Sequence, residues 1–544
     1  MRIALSQLNF HIGNFEQNKQ KMIGAIHRAE KEKADLVVFS ELAIAGYPPR
    51  DFLEFRDFVD KGLQAVDEIA SHCTRVAAIV GVPTYNPHRK GKPLYNSAAF
   101  LWQGKVQKVI HKTLLPNYDI FDEYRYFEPN SRFEIVEFKG KKIALTICED
   151  IWDVDESPLY TINPMDELMA FSPDIMINIA ASPFNYRQAV IREGVLRRNT
   201  EKYHLPLFYV NHVGAQTEIL FDGGSLVMNS HSKTVDVMRY FEEDFRVYDV
   251  EAVEKADSAP IERPAEVALI HDALVMGIRN YFHKLGFTKA ILGLSGGIDS
   301  AVTAVLAAEA LGNENVYNIL LPSEFSSGHS VTDALQLAQN LKMPHDTIPI
   351  KKAYDTFNEI LKPYFKGLPF NIAEENLQAR IRGVILMAIS NKFGYILLNT
   401  SNKSEAAVGY GTLYGDMNGG LSVLGDVYKT RVYALARYIN RHSEIIPENI
   451  ITKAPSAELR PGQKDSDALP DYEILDKILQ EYIENRRGPA EIVALGFDEK
   501  LVKRVLRLVN INEYKRYQTP PMLRVSPKAF GMGRRMPIVA KYLA

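Results

Sequence analysis

The sequence predicts an α/β protein of two domains, and three features of the chain point to that fold class. The runs 35–40 and 142–147 are almost continuously apolar, which is typical of strands in a sheet covered on both faces. From residue 289 onward, strand patterns alternate with helical patterns, which predicts a doubly wound parallel sheet. A length of 544 residues also exceeds that of one ordinary domain.

The polar segment 251–264 interrupts the hydrophobic periodicity and is the clearest boundary. We therefore predict two domains, residues 1–255 and residues 256–544. Hydrophobic residues make up 46% of the chain and charged residues 24%, and the net charge of −3 gives no reason to expect nucleic acid or a membrane as a partner. The chain shows neither a signal-peptide pattern nor an apolar run long enough to cross a bilayer, so we expect a cytoplasmic protein.

In the first domain, three potentially reactive side chains each follow a predicted strand. The strand at 35–40 ends at Glu41, the strand at 106–110 is followed by Lys112, and the strand at 142–147 is followed by Cys148. A thiol becomes nucleophilic beside a base or a cation, a carboxylate can transfer a proton, and a lysine can stabilise an oxyanion. Each residue alone has an ordinary structural interpretation, but together they are candidate catalytic residues.

A cysteine–histidine enzyme is the alternative, because His111, His204 and His212 are available. His111 neighbours Lys112, and adjacent side chains of an extended segment point to opposite faces. Only one other cysteine is present, Cys73, and its helical, apolar surroundings predict a core position. We find no cysteine and histidine spacing that resembles a zinc site.

The second domain opens with a strand, a tight loop and a helix. The strand at 289–294 leads into Ser-Gly-Gly-Ile-Asp-Ser at 295–300, after which apolar residues recur at helical spacing. A helix N-terminus offers free N–H groups and partial positive charge, so the loop suits a phosphate. It lacks the lysine of a kinase-like loop. Further strands are predicted at 316–321, 347–350 and 395–398, and helices at 15–32 and 331–341.

The sequence around the three candidate catalytic residues resembles that of the nitrilase-like amidases. The matching segments are Ser40-Glu41-Leu42 with Gly46-Tyr47-Pro48-Pro49, residues 111–118, and Ile147-Cys148-Glu149-Asp150. The resemblance implies an αββα sandwich in which Cys148 is the nucleophile, Glu41 the general base and Lys112 the support of the tetrahedral intermediate.

The same resemblance extends to the amidase domains of glutamine-dependent synthetases. Tyr118 and the segment 181–184 match glutamine-binding positions of those domains. The resemblance implies glutamine contacts from Tyr118, Ser182 and Gln188, and Arg187 is the alternative to Gln188.

The loop at 295–300 resembles that of the ATP pyrophosphatases, and the later segments resemble the NAD synthetase family in order and spacing. Those segments are 374–383, 399–405, 414–417, 426–430, 453–459 and 512–516. The resemblance implies ATP binding by Gly293, Leu294, Ser295, Gly296, Gly297, Ile298, Asp299, Ser300, Thr400, Lys429 and Ser456. It implies contacts to the dinucleotide substrate from Asn376, Arg380, Glu405 and Lys515, and Mg²⁺ ligation by Asp299 and Glu405.

Together the two resemblances cover almost the whole chain and imply a glutamine-hydrolysing ligase. Ammonia released from glutamine would amidate nicotinic acid adenine dinucleotide after its activation by ATP, with a sheltered path for the ammonia and a homo-oligomeric state. Three alternatives stay open at this point: an amidotransferase of the ATP pyrophosphatase type that makes another amide, a non-catalytic first domain that only assembles oligomers, and a nucleotide sensor without turnover.

Overall fold

The computed structural model describes residues 1–88, 90–154, 159–259 and 263–543. The chain divides into two compact units, Met1–Arg263 (unit 1) and Pro264–Ala544 (unit 2). The predicted boundary between residues 255 and 256 falls at the end of the last helix of unit 1. Among the helices in the described part of the chain, none combines the length and the apolar character needed to cross a membrane.

Unit 1 contains fourteen strands and five α-helices in its described residues. The strands are β1 Arg2–Gln7, β2 Leu36–Val38, β3 Ala77–Tyr85, β4 Leu94–Trp102, β5 Lys105–His111, β6 Val136–Phe138, β7 Lys141–Ile147, β8 Ile175–Ala180, β9 Leu207–Asn211, β10 Val213–Gln216, β11 Ile219–Asp222, β12 Leu226–Met228, β13 Thr234–Val237 and β14 Asp244–Asp249. The helices are α1 Phe15–Lys31, α2 Arg56–His72, α3 Pro164–Met169, α4 Gln188–Tyr203 and α5 Val250–Lys255.

Two six-stranded sheets form the centre of unit 1, in the orders β14-β1-β2-β3-β4-β5 and β13-β12-β9-β8-β7-β6. Leu5 and Val38 of the first sheet share a buried core with Leu145 and Ile177 of the second. On its other face the first sheet packs against α1 and α2, which also bury Cys73 as predicted. The predicted αββα sandwich is confirmed, and the apolar strands are continuous because both faces of each sheet are covered.

Unit 2 contains five strands and twelve α-helices in its described residues. The strands are β15 Ala290–Gly293, β16 Val316–Leu320, β17 His345–Thr347, β18 Ile396–Asn399 and β19 Leu421–Ser422. The helices are α6 Glu266–Leu285, α7 Ile298–Leu311, α8 Gly328–Asn340, α9 Lys351–Phe365, α10 Ile372–Phe393, α11 Lys403–Val408, α12 Lys429–Ile439, α13 Glu448–Thr452, α14 Tyr472–Ile483, α15 Pro489–Ala494, α16 Glu499–Ile511 and α17 Glu513–Arg516.

The sheet of unit 2 has the order β17-β16-β15-β18-β19, and all of its pairs are parallel. This confirms the predicted doubly wound sheet. The strand predicted at 347–350 is wrong in position, because β17 ends at Thr347. Ile350 is instead fully buried as the N-cap of α9, so its apolar character reflects the core beneath that helix.

A buried ion pair joins α4 to β11 in unit 1. Arg192 donates from Nη1 and Nη2 to the two carboxylate oxygens of Asp222, at 2.9 and 2.8 Å. Each side chain has 1% of its surface exposed, so neither charge is solvated by bulk water. Such a pair is costly to break, because removal of one partner leaves the other charge buried and uncompensated.

We therefore expect Asp222→Asn to lower the free energy of unfolding of unit 1 by about 3 to 5 kcal/mol. Both tryptophans, Trp102 and Trp152, lie in unit 1, so urea unfolding followed by tryptophan fluorescence reports on this unit. Glu32→Gln is the control, since it weakens an exposed pair with Arg28 and is expected to cost less than about 1 kcal/mol. Equal losses in the two variants would contradict the prediction.

Candidate active sites

The three candidate catalytic residues of unit 1 lie just beyond the carboxyl ends of three strands. Glu41 follows β2, Lys112 follows β5 directly, and Cys148 follows β7 directly. Cys148 has a φ of 45°, in the left-handed region, at the start of a short 3-10 helix. The chain thus turns sharply at the thiol, which is the kind of backbone strain that collects at functional sites.

Lys112 is the centre of a buried hydrogen-bond network. Its Nζ donates to Glu41 Oε1 at 2.6 Å and to Glu123 Oε2 and Oε1 at 2.8 and 3.0 Å. Asn96 Nδ2 also donates to Glu41, at 2.7 Å, and Tyr47 Oη donates to Glu123, at 2.8 Å. The Glu41 and Lys112 side chains have no exposed surface, so the network is fixed in position.

The charges of this network act on the thiol. Burial raises the pKa of Cys148 well above its ordinary value; Glu41 raises this pKa further, and Lys112 opposes both. Burial alone would lower the pKa of Lys112, but Glu123 and Glu41 outweigh it and raise this pKa well above its ordinary value. Burial raises the pKa of Glu123 to about 7, although Lys112 opposes this shift. At neutral pH the site therefore holds an uncharged thiol beside a charged lysine.

A second carboxylate pair supports the thiol segment. Glu149 accepts hydrogen bonds from Tyr118 Oη at 2.9 and 3.0 Å and from Tyr160 Oη at 2.9 Å. Asp150 accepts from the backbone N–H groups of Thr113, Leu114 and Ile147, at 2.9, 2.8 and 3.0 Å. Asp150 thus ties the segment after Lys112 to the turn that carries Cys148.

The predicted glutamine-binding residues form two groups. Gln188 Nε2 lies 3.5 Å from Ser182 Oγ, and its Oε1 accepts from Asn185 Nδ2 at 3.0 Å. Tyr118 forms the second group, and its Oη donates to the Glu149 carboxylate. Arg187 lies over the Tyr186 ring, with 5.6 Å between the guanidinium carbon and the ring centroid. The binding roles of all these residues stay predictions.

The three histidines of the alternative assignment have other surroundings. His111 Nδ1 lies 2.8 Å from Ser97 Oγ, and its ring stacks on Tyr95 with the centroids 4.2 Å apart. His204 is the C-cap of α4, and His212 packs against the rings of Phe10 and Phe221. The groups that influence the thiol most are glutamates and one lysine, which favours the glutamate–lysine interpretation.

Sequence reasoning missed Glu123, which accepts hydrogen bonds from Lys112 through both of its carboxylate oxygens. It lies in a short 3-10 helix, Glu123–Arg125, within a stretch rich in acidic and aromatic residues. Such a stretch is typical of a solvated loop, and no local pattern marks one of its carboxylates as buried. The one available signal was charge compensation, since a buried lysine beside one glutamate favours a second carboxylate as counter-charge.

In unit 2 the predicted phosphate loop joins β15 to α7. Leu294 N–H donates to the Ile319 carbonyl oxygen at 3.0 Å, and the Ser295 and Ser300 hydroxyl oxygens are 3.0 Å apart. Gly297 is the N-cap of α7. Gly296 has a φ of 80°, and a Cβ placed there would lie 2.1 Å from the Ser330 carbonyl oxygen, so the position requires glycine.

Lys429 brings the two predicted metal ligands together. Its Nζ donates to Asp299 Oδ2 at 2.5 Å and to Glu405 Oε1 at 3.2 Å. Asn402 Nδ2 donates to the other oxygen of Asp299, at 3.0 Å. Burial raises the pKa of Glu405 to about 7 against the opposing charge of Lys429. Two carboxylates thus converge on one cation, at the start of α7.

A third carboxylate, which sequence reasoning also missed, lies beside this cluster. Asp465 accepts hydrogen bonds from Tyr472 Oη at 3.0 Å and from Tyr410 Oη at 3.2 Å. Its charge acts on Lys429, and Tyr472 Oη also lies 3.5 Å from Glu405. In the described part of the chain, no three His, Cys, Asp or Glu side chains are arranged to hold a metal by themselves.

Three of the four predicted dinucleotide-binding residues contact the segment 409–413, whereas the fourth, Glu405, lies in the Lys429 cluster. Asn376 accepts from Thr412 Oγ1 at 2.8 Å, and Arg380 Nε donates to the Leu413 carbonyl oxygen at 3.2 Å. Lys515 Nζ donates to the carbonyl oxygens of Gly409 and Gly411, at 2.8 and 2.9 Å. These contacts bring three side chains that are distant in sequence to one loop.

The two remaining predicted ATP-binding residues differ in position. Thr400 follows β18 directly, at the carboxyl end of the sheet where the phosphate loop also begins. Ser456 is exposed, and its Oγ donates to the Gln463 carbonyl oxygen at 2.6 Å. The structure therefore does not bring Ser456 to the phosphate loop by a direct contact among the described residues.

Comparison with known proteins gives matches over nearly the whole chain. The sequence model of the carbon-nitrogen hydrolase family matches residues 2–254, and that of the NAD synthase family matches residues 270–519. The glutamine-dependent NAD(+) synthetase of Synechocystis sp. is 45% identical over 555 residues and covers 99% of both chains. That of Thermotoga maritima is 40% identical over 579 residues and covers 100% of this chain and 99% of its own.

A solved structure extends the similarity to three dimensions. The glutamine-dependent NAD+ synthetase from Acinetobacter baumannii in complex with adenosine diphosphate superposes with a TM-score of 0.78 at 39% identity. The match covers 99% of this chain and 98% of that one.

The buried network of unit 1 makes a prediction about stability. We expect Lys112→Met to lower the free energy of unfolding by about 3 to 5 kcal/mol, because it leaves two carboxylates buried without a counter-charge. Adding Glu123→Gln should restore part of that loss, since it removes one of the carboxylates. Urea unfolding followed by tryptophan fluorescence measures both variants. A double variant less stable than Lys112→Met alone would contradict this account of the network.

Proposed function

The chain belongs to the family of glutamine-dependent NAD(+) synthetases, and we propose on that premise how its residues divide the reaction. Unit 1 hydrolyses glutamine to glutamate and ammonia. Unit 2 activates the carboxylate of nicotinic acid adenine dinucleotide with ATP, and ammonia then displaces AMP to give NAD⁺. The observation that carries this proposal is the burial of Glu41 and Lys112 together beside the Cys148 thiol.

In unit 1, Cys148 is the nucleophile. Its resting thiol is uncharged, so a base must accept the proton as sulfur attacks the side-chain amide carbon of glutamine. Glu41 accepts that proton and returns it to the leaving nitrogen, which departs as ammonia and leaves a thioester. Lys112 stabilises the negative oxygen of the tetrahedral intermediate. Water then releases glutamate by the same route.

The glutamine itself is held by Tyr118, Ser182 and Gln188. Ser182 and Gln188 are already within 3.5 Å of each other, so one ligand can contact both. Tyr118 Oη donates to Glu149, and the buried Glu149 carboxylate attracts a cationic group such as the α-ammonium of an amino acid. This arrangement favours a free amino acid over an uncharged amide.

In unit 2, the loop from Gly293 to Ser300, with Thr400, Lys429 and Ser456, binds ATP. Backbone N–H groups at the start of α7 face the phosphates. Asn376, Arg380, Glu405 and Lys515 bind the dinucleotide substrate.

The donor set of unit 2 fits Mg²⁺. Asp299 and Glu405 already converge on one cation, the Lys429 ammonium, and Mg²⁺ in nucleotide sites usually takes one or two carboxylates together with phosphate oxygens. Asp299 and Glu405 would hold the ion, which when bound neutralises phosphate charge. Lys429 keeps the two carboxylates close together and adds positive charge of its own.

Ammonia released into bulk water at neutral pH is largely protonated, and ammonium is not a nucleophile. One chain that carries both units can avoid this loss. A sheltered path for ammonia is therefore part of the proposal. A homo-oligomeric state and a cytoplasmic location stay predictions.

We expect Cys148→Ala to abolish NAD⁺ formation from glutamine and to preserve NAD⁺ formation from added ammonium salt. The assay contains nicotinic acid adenine dinucleotide, ATP, Mg²⁺ and either nitrogen donor, with glutamate and NAD⁺ measured separately. Cys73→Ala is the matched control, since the only other cysteine is buried in the core between helix and sheet, and both activities should persist. Loss of synthesis from both donors in Cys148→Ala would argue against separable sites.

The metal assignment predicts a selective effect of Asp299→Asn and Glu405→Gln. Each variant should bind Mn²⁺, used in place of Mg²⁺ and detected by electron paramagnetic resonance with ATP present, at least about tenfold more weakly. Glutaminase activity of unit 1 should remain. Asp467→Asn is the control, because its side chain is 44% exposed and lies outside the Lys429 cluster. Unchanged Mn²⁺ affinity in both variants would refute the assignment.

A further inference from the structure

An arginine at the carboxyl edge of the unit 2 sheet lies close to the phosphate loop. Arg382 is on α10, and its Nε donates to the Leu321 carbonyl oxygen, 3.0 Å away, just beyond the end of β16. One turn further along the same helix face, Leu386 reaches the end of β15, since a Cβ built on Gly293 would lie 3.3 Å from its Cδ1. Arg382 therefore points toward the end of the sheet where the loop begins.

The charge of Arg382 is weakly compensated. Within the described ranges, its guanidinium forms no ion pair with an Asp or Glu, and the bond to Leu321 is its one hydrogen bond. Burial lowers the pKa of Arg382 to about 10, and the charges of Asp416 and Glu458 oppose this shift only in part. A guanidinium has five N–H donors, so most of its donors are available to a ligand.

The neighbouring arginine, Arg380, points in a different direction. Arg380 Nε donates to the Leu413 carbonyl oxygen at 3.2 Å, on the side of the segment 409–413. Two residues along a helix are separated by about 200° of rotation, so Arg380 and Arg382 lie on opposite faces of α10. The helix thus offers one arginine to the proposed dinucleotide site and another to the edge of the sheet.

We propose that Arg382 is a further catalytic residue of unit 2, which binds the phosphate oxygens of ATP beside the loop from Gly293 to Ser300. The inference rests on the proposed function. An anion is the ligand that a partly desolvated guanidinium without a carboxylate favours, and its planar fork matches two phosphate oxygens. The triphosphate proposed to bind the adjacent loop is such an anion.

The role of Arg382 follows from the movement of charge in adenylation. A carboxylate oxygen of the substrate forms a bond to the α-phosphorus of ATP, while the bond from that phosphorus to the bridging oxygen breaks. Pyrophosphate leaves with the electron pair, so negative charge grows on the leaving oxygens. Arg382 stabilises that charge from a fixed position at the edge of the sheet.

The test compares Arg382→Gln and Arg382→Lys with the wild-type protein, using ammonium as the nitrogen donor. We expect Arg382→Gln to lower kcat by at least about 100-fold. Its dissociation constant for MgATP, measured by calorimetry without the acid substrate, should rise at least about tenfold. Arg382→Lys should recover part of both, and KM for the acid dinucleotide should stay within about twofold. Lys392→Met, an exposed cation on the same helix, is the matched control and should behave as wild type.

The outcomes separate this inference from the proposed function. Normal MgATP binding and turnover in Arg382→Gln overturn the inference, while NAD⁺ formation by the wild-type protein still supports the function. If Arg382→Gln fails to fold, as judged by circular dichroism, Arg382→Lys decides: a kcat reduced at least about tenfold supports the inference, and an unchanged kcat overturns it. A wild-type protein that forms no NAD⁺ from either donor overturns both.

Discussion

The ammonium of Lys112, enclosed between Glu41 and Glu123, is the interaction on which unit 1 depends. A lysine without exposed surface keeps its charge only if carboxylates compensate it, and a buried carboxylate persists as an anion only beside such a cation. The three side chains therefore stabilise one another, and each holds the other two in position. This mutual dependence places a carboxylate and a cation beside the Cys148 thiol before any substrate arrives, which is the preorganisation that the proposed mechanism requires.

Unit 2 contains a similar cluster of one lysine and two carboxylates, but this cluster is less deeply buried. Lys429 lies between Asp299 and Glu405 much as Lys112 lies between two glutamates, but Asp299 keeps 18% of its side-chain surface exposed. Bulk water is excluded from the Lys112 and Glu41 side chains, whereas the Lys429 cluster is open enough for a cation or a phosphate to reach Asp299. The degree of burial thus agrees with the two proposed roles, a fixed catalytic group in unit 1 and a ligand-binding site in unit 2.

The sequence predicted the fold class because its strongest signals are local. Apolar runs covered on both faces and a strand–loop–helix with two glycines require no knowledge of distant contacts. The error at 347–350 has a physical origin: β17 is a polar edge strand, and the apolar Ile350 is buried under α9 instead. Glu123 escaped prediction because its burial is decided by Lys112 and Tyr47, which lie elsewhere in the chain. Arg382 escaped because one arginine in a helix is ordinary until the missing counter-charge is seen.

The close approach of Gly296 to the Ser330 carbonyl has a consequence for how this protein can vary. At 2.1 Å from that oxygen, even the methyl group of alanine would force α8 away from the loop that precedes α7. A substitution here would change the spacing between two whole segments rather than the chemistry of one. A side chain at this position is therefore excluded by shape, independently of any ligand.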